Sequence, residues 1–238
     1  MRRAGSSYDR LRLGYPDQLV DDVVEYARLD GRPAIEVGAG TGRATLKFVA
    51  RGVAVTAIEP NPRAAAVLTR RVAGAPVTVS VGTFEDYAPA RKFGLLFSAQ
   101  AWQQVDPAVR WRKAAEVLAP SGVIALFWNR DRTADAGVTA ELRAAHQEHA
   151  PDTRFDHAML PDERPWPGIH GLVHRESRVY RWQLTMPTVD FVATLANRAT
   201  YAALPPQTRA ELFADILARL DNEVRVAVDT ELYQARTR

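Results

Sequence analysis

Five short apolar runs alternate with segments of helical spacing, and that alternation leaves few architectures open to the chain. The runs are Pro33 to Gly38 (P-A-I-E-V-G), Val53 to Ile58, Val77 to Val81, Phe93 to Ser98 and Val123 to Trp128. Each is short, continuously apolar and bounded by turn residues, as a strand covered on both faces would be. Thr41 to Arg51, Pro62 to Ala73 and Pro107 to Leu118 lie between them with the spacing of helices. Strands joined by crossover helices predict an α/β chain with a doubly wound, mostly parallel sheet. Ahead of the first strand, Leu19, Val20, Val23, Val24, Tyr26 and Ala27 share one face of a helix predicted over Pro16 to Leu29.

Beyond Trp128 the pattern changes. Asp131 to Ala150 reads as a helix, whereas Pro151 to Gly171 is rich in Pro, Asp and His with little periodicity. A lid inserted after the fifth strand, over residues 131–172, is the expectation. A strand at Arg178 to Met186, helices at Thr188 to Ala199 and Pro206 to Leu220, and a strand at Val224 to Tyr233 complete the chain. Its 238 residues suit one domain, 1–238, with residues 1–30 as an N-terminal cap segment. No run is apolar for long enough to span a bilayer, and Met1-Arg2-Arg3-Ala4-Gly5-Ser6-Ser7 lacks the apolar core of a secretory signal, so a cytoplasmic protein with no membrane partner is expected. The net charge of +3 is spread without a basic run, which predicts no nucleic-acid partner.

The turn after the first strand carries the chemistry. Glu36-Val37-Gly38-Ala39-Gly40-Thr41-Gly42 leads from strand to helix, where an open parallel sheet binds its ligands. A dinucleotide fingerprint would need its third glycine at the position of Arg43, and no G-K-[ST] follows for a phosphate loop. An acidic residue followed by G-x-G-x-G suits a bulky neutral-to-cationic ligand that needs close backbone approach and no pyrophosphate site. S-adenosylmethionine (SAM) is such a ligand. Glu59 closes the second strand, where a carboxylate can accept hydrogen bonds from both hydroxyls of a ribose.

In order and spacing, several segments resemble the class I SAM-dependent methyltransferases, in particular their small-molecule branch. They are E-V-G-A-G-T-G-R at Glu36 to Arg43, A-I-E-P-N at Ala57 to Asn61, G-T-F-E-D at Gly82 to Asp86, F-S-A-Q-A-W at Phe97 to Trp102, V-D-P at Val105 to Pro107 and L-A-P-S-G-V-I-A-L-F-W-N at Leu118 to Asn129. The resemblance implies a seven-stranded sheet with an antiparallel last strand. It implies SAM as cofactor and S-adenosylhomocysteine (SAH) as its product. Glu36, Gly38, Gly40 and Gly42 would then hold the methionine end, Glu59 with Pro60 the ribose, and Thr83, Phe84 and Glu85 the adenine. Ser98 and Gln100 would line the far side. Tyr8 and Arg12 resemble a segment that closes over the methionine carboxylate. Family members often carry Asp where Thr83 stands, and Thr is the weaker partner for an adenine amino group.

Related sequences frequently have His-Trp after A-W, where this chain has Gln103 and Gln104. An amide can orient an acceptor but cannot take its proton, so the catalytic residue is left unassigned. Trp102, Gln103, Gln104, Trp128 and Arg130 are the candidates for an acceptor pocket. His146, His149, His157, His170 and His174 fall in or near the lid region. His146 and His149 share a helix face, but H-Q-E-H matches no zinc-protease pattern, and no metal is expected. With no cysteine in the chain, thiolate metal sites and covalent methylation through a cysteine are closed. The expected activity is methyl transfer to O, N or S of a small acceptor, plausibly an antibiotic-type peptide or polyketide intermediate. Its rivals are a nucleic-acid methyltransferase and an inactive SAM-binding regulator.

Overall fold

The structure, a computed structural model, describes residues 13–153, 171–196 and 198–238. In chain order its elements are α1 (Asp17–Ala27), β1 (Ala34–Val37), α2 (Arg43–Val49), β2 (Val55–Glu59), α3 (Pro62–Arg71), β3 (Val77–Val81), β4 (Phe93–Ala99), a 3-10 turn (Trp102–Gln104) and α4 (Arg110–Val117). There follow β5 (Leu118–Thr133), α5 (Ala136–His149), β6 (Leu172–Pro187), α6 (Thr188–Ala196), α7 (Ala199–Ala202), α8 (Pro206–Arg219) and β7 (Glu223–Thr237). The strands form one sheet in the order β3-β2-β1-β4-β5-β7-β6. The first five are parallel to their neighbours, while β7 runs antiparallel to both β5 and β6. The sheet is therefore the expected one, with its direction reversed only at the edge built by the chain's last elements.

The chain groups into two compact units. The larger holds residues 14–129, 171–180 and 230–238 of the described chain. β1 and β2 are buried at every position, which is why their sequences run apolar without alternation. Phe48 of α2 stacks on Phe97 of β4 at 4.0 Å between ring centroids, within a core shared with Leu19, Val23, Leu68 and Phe127. α3 starts on Asn61, whose Oδ1 accepts from the Arg63 and Ala64 amides at 2.9 and 3.3 Å, with Pro62 in the first turn. Lys47 of α2 and Arg51 just beyond it pair with Asp17 and Asp21 of α1, an exposed set that fixes orientation more than it stabilises.

β5 begins earlier than its sequence suggests. Phe93 pairs with Leu118, yet Leu95 pairs with Val123, so Ala119-Pro120-Ser121-Gly122 bulges out of the ladder. Proline is tolerated there because a bulge leaves its position without a ladder hydrogen bond to donate. That turn-like composition is what makes the run read as starting only at Val123.

The smaller unit holds the rest of β5, β6 and β7 with α5 to α8. Leu142 and Ala145 of α5, Phe191 and Leu195 of α6 and Leu212 and Ile216 of α8 bury one another together with Val224, Val226 and Val228. On α8, Leu212 and Ile216 are core, whereas Leu217 is exposed. Asp135 caps α5 through the Gly137 and Val138 amides. Among the described residues no helix is long and apolar enough to cross a membrane.

Candidate functional site

Three glycines of the turn after β1 take left-handed backbone, at φ 72° for Gly38, 58° for Gly40 and 91° for Gly42, and each does so for a different reason. A Cβ on Gly38 would stand 2.3 Å from the Ala101 Cβ, so this glycine lets the turn after β4 close on the loop. A Cβ on Gly42 would stand 2.5 Å from Leu68 Cδ1, so that one admits α3. At Gly40 a Cβ would meet nothing within 4 Å. Gly40 is where backbone faces open space, as a ligand cradle requires.

Four amides of this turn are engaged within the protein. Gly38 and Ala39 both donate to the Ile58 carbonyl at 2.9 Å, and Gly42 donates to Ala39 at 3.0 Å. Gly40 donates to Glu59 Oε2 at 2.7 Å, while Glu59 Oε1 accepts the Asn61 amide at 2.8 Å. A diphosphate site depends on free amides pointing at the ligand; here the turn presents a carboxylate whose oxygens each retain a lone pair for a hydroxyl. Behind it Glu36 is almost wholly buried, 1 % exposed, and accepts from Thr45 Oγ1 at 2.5 Å. Burial pushes its carboxyl up to about 8, with the Thr45 hydrogen bond pulling down and the neighbouring Glu59 charge adding to the rise.

The remaining candidates gather at the carboxyl ends of β3, β4 and β5. Thr83 donates to Asp86 Oδ2 at 2.6 Å and accepts the Asp86 amide, closing a small turn. Phe84 is buried, with its ring centroid 5.9 Å from that of Trp102. Glu85 accepts the Asp106 amide at 2.8 Å, which ties the turn after β3 to the loop after β4. Ser98 is buried and donates to the Val37 carbonyl at 2.8 Å. Gln100 adopts left-handed backbone at φ 58°, uncommon for a side chain of its size, and donates its amide to Phe127. Pro60 and Gln104 are exposed.

Trp102 is 1 % exposed, stacked edge-on against Trp111, and its indole N–H has no partner among the described residues. Trp128 donates to Gln103 at 3.0 Å. Arg130, in the smaller unit, follows Asn129 on β5. Sequence reasoning gave no role to Asn129, which donates to the Gly14 carbonyl at 2.8 Å and accepts from Thr230 at 2.7 Å. Its place at the end of the apolar run was the only signal available. Tyr8, Arg12, His157 and His170, with most of the segment Pro151 to Gly171, lie outside the described residues.

His146 and His149 are not brought to one point. His146 is buried in the smaller unit, its Nδ1 on the Leu142 carbonyl and its Nε2 3.0 Å from the Tyr201 hydroxyl, and burial holds its pKa below the usual histidine value. His149 lies beside Glu148 and Asp215, but the Arg219 guanidinium bridges those two carboxylates at 2.7 and 2.8 Å.

Comparison with known proteins agrees with this geometry. Residues 35–126 match the family described as methyltransferase domain. Uncharacterised methyltransferases of Mycobacterium tuberculosis and Mycobacterium bovis are 37% identical over 128 residues, which is 53% of this chain and 50% of theirs. The chain thus spans about half the length of the curated relatives it matches. Among solved structures, a protein assigned as a type II methyltransferase from Anaeromyxobacter dehalogenans aligns over 94% of this chain and 97% of its own at a TM-score of 0.69 and 23% identity. The YcgJ protein of Bacillus subtilis aligns over 94% of this chain and 99% of its own, at 0.54 and 13%. Both share the fold.

Proposed function

We propose that this chain, whose residues 35–126 match a methyltransferase domain, is a class I methyltransferase that moves a methyl group from SAM to a small-molecule acceptor. The observation that carries the reading is the state of the glycine turn. Four of its amides are engaged internally and two carboxyls stand behind it, which disfavours a diphosphate and suits a ligand bearing positive charge.

SAM supplies a methyl group on a sulfonium that is its own leaving group. What falls to this chain is to hold the cofactor, orient the acceptor in line with the methyl carbon and exclude water. Gly38, Gly40 and Gly42 with Glu36 hold the methionine end, and Glu59 with Pro60 the ribose. Thr83, Phe84 and Glu85 border the adenine, and Ser98 and Gln100 close the far side. Trp102, Gln103, Gln104 and Trp128 border the acceptor. The acceptor is a small, partly apolar metabolite of natural-product type.

Two measurements test this reading. Calorimetry is expected to show binding of SAM and SAH and none of NAD. Tritiated SAM incubated with thiol, amine, hydroxyl and carboxyl acceptors is expected to label at least one of them. NAD binding without SAM binding would sink the proposal, and SAM binding without transfer to any acceptor would favour a regulatory protein.

A further inference from the structure

Both ends of the Gln103 side chain are in use. Its Nε2 donates to the Gln100 carbonyl at 2.9 Å, and its Oε1 accepts the Trp128 indole N–H at 3.0 Å. Gln100 in turn donates its amide to Phe127, the residue before Trp128 on β5. Two hydrogen bonds therefore link the segment after β4 to consecutive residues of β5, and a third ties Gln103 to Gln100 within that segment. Left-handed backbone at a non-glycine residue such as Gln100 persists only where its surroundings hold it, and Gln103 reaches back to that residue's own carbonyl. Trp128 is held on its other side by Tyr233 of β7, at 6.0 Å between ring centroids.

We propose that Gln103 is a positioning residue for methyl transfer, an amide bridge that fixes the Trp128 indole and the Gln100 turn in one arrangement where a histidine would offer a base. This deepens the methyltransferase reading and rests on it. The acceptor then meets a rigid wall, and its reactivity comes from alignment at this position and not from proton removal by it.

The test compares Gln103→Met, which deletes both bonds, with Gln103→Glu, which keeps the acceptor for Trp128 and loses the donor to Gln100. The Trp128 indole N–H is assigned among the chain's 5 tryptophans by its loss in Trp128→Phe, and its exchange with solvent is followed by NMR. Exchange is expected to quicken about fivefold in Gln103→Met and to stay near the unaltered value in Gln103→Glu, as one hydrogen bond would dictate. Turnover is read with tritiated SAM and thiophenol, whose sulfur is largely ionised at pH 8 and needs no base. In Gln103→Met kcat is expected to fall about tenfold while the KM for SAM stays within about twofold, with partial recovery in Gln103→Glu. Unchanged indole exchange in Gln103→Met, or unchanged kcat, overturns the proposal. If the unaltered protein gives no heat with SAH, the methyltransferase reading fails instead, and indole exchange in the free protein still decides whether the bridge exists.

Discussion

At the scale of single residues, the three glycines of the turn separate folding from binding. Gly38→Ala brings a Cβ to 2.3 Å from Ala101 and is expected to lower the unfolding midpoint severely. Gly40→Ala meets no atom, so its stability cost is only the left-handed backbone, about 1–2 kcal/mol, while SAH affinity measured by calorimetry is expected to fall more than tenfold. Glu36 makes a prediction with a sign. Its folded pKa is raised from 4.5 to about 8, so the protonated carboxyl is the form the fold favours. The stability it contributes is full below about pH 4.5 and is lost progressively as pH rises to about 8. Glu36→Gln is therefore expected to stabilise the free protein relative to the unaltered chain, increasingly over that window and on the order of a few kcal/mol at its top, as read by urea unfolding. A cation bound near Glu36 would reverse the preference, and SAM binding at pH 7 should release protons, measurable in buffers of different ionisation enthalpy. Trp102→Phe removes an N–H that nothing satisfies in the free protein. Its unfolding midpoint should hold or rise, whereas SAH affinity should drop about fivefold if the bound nucleoside uses that donor.

Among the elements, those buried on both faces were legible because burial leaves no polar positions to blur the run, as β1, β2 and β4 demonstrate. The helix starting at Pro62 was equally readable, and Asn61→Ala is expected to cost about 1 kcal/mol in urea unfolding, since two amides of the first turn lose their acceptor. β5, β6 and β7 were legible only in part. The bulge at Ala119 to Gly122 disguised the start of β5, and β6 is an edge strand whose exposed stretch Arg175 to Arg178 carries charges that break the alternation. In the site, glycines and acids at strand ends announced themselves by residue type and position. The Gln103 bridge and the Asn129 links did not, because an amide's partner depends on which strands the sheet order makes neighbours.

For the whole molecule, ligand binding to the native state adds stability by mass action, about 2.7 kcal/mol at a hundredfold excess over Kd. With SAH present, hydrogen exchange is expected to slow in the peptides covering residues 34–42, 55–60, 81–86 and 98–104, and uniform protection across the larger unit would argue against a site at the strand ends. The engaged turn has one more effect. Phosphorylated metabolites abound in any cell, and a loop with idle amides would be filled by whichever of them came past. With four of its amides engaged, this loop offers them little, so inorganic phosphate at millimolar levels should leave cofactor uptake untouched.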